Sequence, residues 1–243
     1  MIPESHPRYQ SLITREQMAQ GARSGVVSLE GLTAHGRGEA FDYLLGERTS
    51  PSAAEAERVA AALLMTADHP VISVNGNTAV LCAEAIASLQ MVTDAVVEVN
   101  LFHRTEGRVD LVTAFLQDAG CNVLEGPVSR FIPLDHDRGL CHEEGIAAAD
   151  VILVPLEDGD RAEALTRMGK KVIAIDLNPL SRTAQTATLP VIDEVTRAIP
   201  AITRDFRLLG TDEADRLVKG LDGKKYLREA VGTIQKRLEY VLD

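Results

Sequence analysis

Residues 71–91, Val71-Ile-Ser-Val-Asn-Gly-Asn-Thr-Ala-Val-Leu-Cys-Ala-Glu-Ala-Ile-Ala-Ser-Leu-Gln-Met91, decide the fold. The short apolar run Val71–Val74 fits a strand buried on both faces. Asn75-Gly76-Asn77 supplies a turn. From Thr78 to Met91 the apolar positions shift to helical spacing, with Ala79, Ala83, Ile86 and Ala87 to be buried. A buried strand that turns directly into an amphipathic helix is half of a β-α-β unit.

The same grammar continues on both sides. Upstream, 53–66 predicts a helix with Val59, Ala62 and Leu63 on one face, stopped by His69-Pro70. Downstream, 96–101 predicts a strand and 105–118 a helix carrying Val109, Val112 and Leu116, closed by Ala119-Gly120. Two more strands are expected over 151–155 and 172–175, with a helix over 161–168 between them. A short last strand over 189–192 feeds a helix from Glu194. Strands alternating with helices predict an α/β fold, a doubly wound and mostly parallel sheet.

Around this core, residues 51–203 of a single domain, two segments differ. Residues 1–50 lack the alternation and look helical and loop-like, with Arg15, Arg23, Arg37 and Arg48. Residues 204–243 form a helical tail whose two polar amphipathic helices divide at Asp222-Gly223. The stretch 122–142 is irregular and contains Pro127, Pro133 and Asp135-His136-Asp137-Arg138.

Composition narrows the chemistry. A net charge of −11 opposes non-specific nucleic-acid binding, and the absence of Trp removes a common stacking platform. Apolar runs are too short to cross a bilayer, and the first residues lack the apolar core of a secretory signal, so the cytoplasm is the expected location. Cys82, Cys121 and Cys141 are three and widely spaced, which suits core residues better than a disulfide framework or a zinc site. Anion binding in such an acidic chain must come from local positive charge.

In open α/β sheets ligands bind beyond the carboxyl ends of the strands. The loops there are Asn75–Asn77, His103–Glu106, Glu157–Arg161 and Asp176–Thr183. Turn and cap chemistry alone explains many of their Asn, Asp and Gly residues. It does not explain the placement of Arg182. Asp176 at a strand end suits a ribose hydroxyl or an adenine amino group, Asn178 can donate to and accept from a base, and Ser181, Arg182 and Thr183 are phosphate donors. Glu157, Asp158 and Asp160 offer carboxylates to a magnesium ion, although Asp160 equally suits a helix cap. His35-Gly36-Arg37-Gly38-Glu39-Ala40-Phe41 is a poor dinucleotide fingerprint, with Phe41 at the third glycine position. Its two glycines instead suggest a turn that brings backbone and the Arg37 fork up to a phosphate, or else a solvated surface turn.

Taken together, these motifs resemble one family. Ile2-Pro-Glu-Ser-His-Pro-Arg-Tyr9, Ala34-His-Gly-Arg-Gly-Glu-Ala-Phe-Asp-Tyr43, Ser73-Val-Asn-Gly-Asn77, Val99-Asn-Leu-Phe102, Val154-Pro-Leu-Glu-Asp-Gly-Asp-Arg161, Ile175-Asp-Leu-Asn-Pro-Leu-Ser-Arg-Thr183 and Arg197-Ala-Ile-Pro200 are similar to stretches of the archaeal phosphopantothenate synthetases, or 4-phosphopantoate–β-alanine ligases. The likeness runs in order along nearly the whole chain and is looser over 122–140 and beyond about 204.

The resemblance implies a Rossmann-like core, a homodimer, and a role in coenzyme A biosynthesis. It implies ATP with Mg²⁺, and 4-phosphopantoate and β-alanine as substrates, joined through an acyl-adenylate with release of AMP and pyrophosphate. It also implies ATP contacts at Arg15, Arg37, Asp176-Leu177-Asn178, Arg182-Thr183 and Glu194-Val195. The last pair departs from the family pattern, which places Asn after the Asp where this chain has Asp193-Glu194. A main-chain contact survives that change and a side-chain amide contact does not. Arg37 and Arg182 are the expected catalytic phosphate clamps. Asn77, Arg104 and Arg161 are placed, by position, near the phosphopantoate phosphate, and His35 and His136 are candidate general bases. Two readings from other classes compete: an NAD-dependent dehydrogenase on the same fold, and a non-enzymatic sensor of a coenzyme A metabolite.

Overall fold

Capping chemistry explains where the first helices start and stop. The computed structural model describes residues 2–240. Helix α1 (Tyr9–Ser24) ends at Gly25, whose φ of 84° suits glycine. Helix α2 (Leu29–Leu45) begins at Ser28, whose side chain accepts from Gly31 N at 3.1 Å, and ends at the left-handed Gly46. Helix α3 (Pro51–Met65) is capped by Ser50 and carries a proline at its first position.

The core then runs β1 (Pro70–Val74), α4 (Gly76–Thr93), β2 (Val96–Val99), α5 (Glu106–Asp118), a small hairpin of β3 (Ser129–Arg130) and β4 (Leu140–Cys141), β5 (Val151–Pro155), α6 (Gly159–Arg167), β6 (Lys171–Ile175), α7 (Arg182–Thr186), β7 (Leu189–Val191) and α8 (Val195–Leu208). The tail is α9 (Thr211–Lys219) and α10 (Gly223–Tyr240). The five long strands form one parallel sheet in the order β2-β1-β5-β6-β7.

Alternation along each strand assigns the two faces. Ile72, Leu153, Ile173 and Leu189 join the larger core beneath α3, α4 and α8. Val71, Ile152, Val154, Val172 and Ala174 join a second core closed by α6 and by Ile132, Cys141 and Ile146. Right-handed crossovers require this arrangement, because β1→β2 and β5→β6 step in opposite directions and so send α4 and α6 to opposite faces. The fold is therefore the expected doubly wound, Rossmann-like α/β sheet. Its topological switch point lies between β1 and β5, where a crevice opens at the carboxyl ends.

Three expectations change. Residues 34–43 are the interior of α2, not a turn. The Ser28 cap and the run Glu39-Ala40-Phe41 sustain the helix through Gly36 and Gly38, at a propensity cost of about 1 kcal/mol each. Strand β2 stops at Val99 because Asn100, though it still donates to Val74 O (2.9 Å), turns its amide to Leu140 O (2.8 Å). Residues 122–142 contain the short hairpin, and α7 is a single helical turn with too few residues for a periodic signal. No described helix is long and apolar enough to cross a membrane.

Candidate active site

The switch point opens into a cavity of about 960 Å³. Its floor is the β1–α4, β5–α6 and β6–α7 loops, and α1 and α2 lie over it. Asn75 builds the first loop. Its Oδ1 accepts from Thr78 N (3.0 Å) to cap α4, while its Nδ2 reaches Pro155 O (3.1 Å) and Leu156 O (3.0 Å) across the switch point. Asn77 holds the roof down, donating to Gly31 O on α2 at 2.8 Å.

The β6–α7 loop is organised from within. Asp176 accepts from Asn178 N (2.9 Å) and from the Ser181 hydroxyl, and Ser181 in turn caps α7. Burial pushes the Asp176 carboxyl above its ordinary range, against the opposing effect of these donors. Asn178 Oδ1 accepts from Leu180 N (2.9 Å), leaving its Nδ2 toward the cavity without a protein partner among the described residues. Thr183 is buried and donates to Glu157 O at 2.8 Å, tying this loop to the next. Arg182 lies across Gly159, where an added Cβ would stand 2.6 Å from Arg182 Cβ, and its guanidinium pairs with Glu163. Glu194 caps α8 by accepting from Thr196 N (2.7 Å), and the adjoining Val195 is buried on the same wall.

The acidic run after β5 is already neutralised. Arg161 is fully buried, donating to Glu157 (2.8 Å) and Ser73 (2.8 Å). Arg138, also buried, reaches Asp158 (3.0 Å) and Asn100 O (2.7 Å), and the His136 ring meets Asp160 at 2.7 Å. Each carboxylate thus has a cation or an imidazole, and the described residues contain no cluster of three His, Cys, Asp or Glu able to hold a metal. Of the three carboxylates, Asp158 is the one that both lines the cavity and is open, its side chain keeping 41% exposure, whereas the Glu157 side chain is buried and the partly exposed Asp160 lies off the wall.

His35 faces the cavity with a buried Nε2 that has no partner, and burial lowers its pKa, so the ring is neutral near pH 7. Arg37 projects from the exposed side of α2 toward Asp176 and makes no ion pair with a described residue.

The family model described as phosphopantothenate/pantothenate synthetase matches residues 52–237. The chain belongs to this family. It is 63% identical to the 4-phosphopantoate–beta-alanine ligase of Methanospirillum hungatei JF-1, over 100% of both chains. It is 49% identical to the enzyme of that name from Methanosarcina mazei, over 98% of this chain and 96% of the relative. The one from Thermococcus onnurineus NA1 is 46% identical, over 98% and 93%.

For this synthetase-family chain, Arg37, His35, Asn77, Asp176, Leu177, Asn178, Arg182, Thr183, Glu194 and Val195 all line one cavity. Four expected residues lie elsewhere. Arg15 is off the wall and chelates Glu39 through Nε (2.9 Å to each oxygen). Arg161 is sealed beneath the β5–α6 loop, where its charge balances Glu157; it supports the loop instead of facing a ligand. Arg104 is off the wall, with one buried terminal nitrogen lacking a partner. His136 is also off it, committed to Asp160. Two wall residues have no signature in the sequence. Arg138 comes from the irregular stretch, and Arg108 sits within a helix pattern that gives no hint of a ligand.

Proposed function

We propose that the chain is an ATP- and Mg²⁺-dependent ligase that condenses (R)-4-phosphopantoate with β-alanine to 4′-phosphopantothenate, as a cytoplasmic homodimer serving coenzyme A biosynthesis. The observation that carries this is the end-to-end 63% identity to a ligase of that name. The cavity at the switch point is consistent with it, being large enough for two anionic substrates side by side.

The chemistry requires activation, because a carboxylate is unreactive toward an amine in water. In the proposed route the 4-phosphopantoate carboxylate attacks the α-phosphorus of ATP. A carboxyl C–O–P bond forms and pyrophosphate leaves. The β-alanine amine then attacks the acyl carbon and AMP departs. Asp176 and the Asn178 amide suit the nucleoside, and Arg37 suits the phosphate charge that develops in the first step. Arg182 suits a second guanidinium for this charge, exchanging Glu163 for phosphate. Neutral His35 suits the role of acceptor for the proton the amine must lose, once its ring turns the buried, unpartnered Nε2 toward the substrate. A magnesium ion would arrive with the triphosphate and spread its charge, with Asp158 as the accessible carboxylate.

Product analysis tests the route. Protein incubated with ATP, Mg²⁺, β-alanine and 4-phosphopantoate carrying oxygen-18 in its carboxylate should yield phosphopantothenate, pyrophosphate and AMP with label in the AMP phosphate. ADP as the stoichiometric product, with label in free phosphate, would replace the adenylate by an acyl phosphate. No condensation product at all would remove the ligase reading.

A further inference from the structure

Six arginines line the cavity: Arg8, Arg37, Arg108, Arg138, Arg182 and Arg197. Four are compensated by carboxylates, Arg8 by Glu47, Arg138 by Asp158, Arg182 by Glu163, and Arg197 by Asp42 and Asp193. Only Arg37 and Arg108 form no ion pair with a described residue. Arg37 is exposed, but Arg108 is half-buried, and in a chain of net charge −11 a half-buried, unpaired guanidinium on a cavity wall is costly unless an anion joins it.

Arg108 is held in place without being neutralised. Its Nη1 donates to His103 O (2.5 Å) and its Nη2, at the limit of a hydrogen bond, faces Val26 O (3.4 Å); both acceptors are uncharged carbonyls. Its Nε is buried with no partner. Burial lowers its pKa, with Glu30 the one acid acting in the opposite direction, and Glu30 stays outside ion-pair distance. His103, itself 3.9 Å from Glu30, is the other titratable neighbour. The start of α4, with Gly76 and Asn77 on the same wall, adds the positive end of a helix dipole.

The two unpaired arginines mark two ends. Helix α2 crosses the cavity lengthwise. At Gly31 it is bound by Asn77 beside the Arg108 end, and at Gly38 a side chain's Cβ would stand 3.7 Å from Leu177 Cδ1, beside Asp176. The helical rise between Gly31 and Gly38 separates these points by roughly 10 Å. In 4-phosphopantoate the carboxylate and the phosphate lie at opposite ends of the carbon chain. If the carboxylate meets the α-phosphorus of a nucleotide seated at Asp176, the phosphate points away from the nucleoside, toward Arg108.

We infer that Arg108 anchors the phosphomonoester of the acid substrate and sets the preference for the phosphorylated acid over free pantoate. This rests on the ligase reading and assigns its second anion subsite. Calorimetric binding of 4-phosphopantoate and of pantoate to the wild type and to Arg108→Gln tests it, with inorganic phosphate as a competing probe and thermal unfolding as the folding control. The wild type should favour the phosphorylated acid. Arg108→Gln should lose about ten- to a hundredfold of that preference, with pantoate binding and the KM for ATP changed less than about twofold. Phosphate should compete in the wild type and not in the variant. Should Arg108→Gln unfold, Arg108→Lys carries the test. It keeps the charge and loses the fork, and its preference should drop at least about threefold. Unchanged preference in a folded variant overturns the inference and leaves the ligase intact. A rise confined to the KM for β-alanine overturns it as well, by moving Arg108 to that carboxylate. A wild type that binds neither acid, with or without ATP, defeats the ligase reading itself.

Discussion

Arg37 has no carboxylate to hold it, yet it faces Asp176 from the middle of a helix. A guanidinium there makes paired hydrogen bonds to phosphate oxygens, and an ammonium of equal charge makes one at a time. Arg37→Lys should therefore lower kcat/KM for ATP by about tenfold or more, while the melting temperature moves less than about 2 °C, since an exposed side chain contributes little packing. Steady-state kinetics with a parallel melt checks this, and wild-type turnover in the lysine variant would remove Arg37 from the clamp. At this scale the sequence is readable where a residue type is unusual for its position. Arg37 between two glycines and Arg182 after a strand-end Asp stand out. Arg108 does not, because an arginine on a helix is ordinary until its neighbours are known, and Arg161 stands out wrongly because burial is invisible in a loop motif.

Helix α8 enters the cavity wall at Glu194, and the preceding Asp193 lies against Glu57 of α3. Glu57, on α3, is 1% exposed and has one carboxyl oxygen without a partner. Burial, then the neighbouring Asp193 charge, hold its carboxyl well above the ordinary carboxylate range. Asp193 is meanwhile fixed by Arg197 (2.9 Å) and Thr49 (2.5 Å). The sign follows from linkage: the native state keeps a proton on Glu57 where the unfolded chain has lost it. Glu57 therefore contributes most to stability below the ordinary carboxylate pKa, and that contribution declines as pH rises toward the raised value. A glutamine in its place resembles the protonated acid and does not titrate. The melting temperature of Glu57→Gln minus that of wild type should thus grow by about 2–6 °C between about pH 5 and about pH 8. A flat difference would show that Glu57 is ionised in the fold. The pairing of Glu57 with Asp193 is not legible in the sequence. The helix pattern of 53–66 counts apolar residues, and a charged residue on its buried side enters such a count only as a mismatch.

Across the whole molecule, the strands and helices of the core are legible because burial on two faces and on one face leave different periods in the sequence. The irregular stretch 122–142 has no period, and it supplies Arg138 and His136 through contacts that span the switch point. The first fifty residues pose the converse case, being well-formed helices with little to hold them. Helix α1 buries Thr14, Met18 and Gly21, and α2 buries Asp42 and Leu45, while Leu29 and Tyr43 remain 74% and 59% exposed. Yet these helices roof the cavity and carry Arg37 and His35, whose positions the proposed mechanism requires to be kept. A second copy packed over α2 would bury Leu29 and Tyr43 and restrain the roof from outside, which is the physical argument for the proposed homodimer. Light scattering at micromolar concentration should therefore give twice the chain mass of 26.2 kDa. Leu29→Glu, which places a charge in that contact, should shift the population toward monomer and weaken ATP binding together, because the same helix serves both. A wild-type monomer across the micromolar range would sink the homodimer. A dimeric Leu29→Glu protein with unchanged ATP affinity would move the interface away from α2.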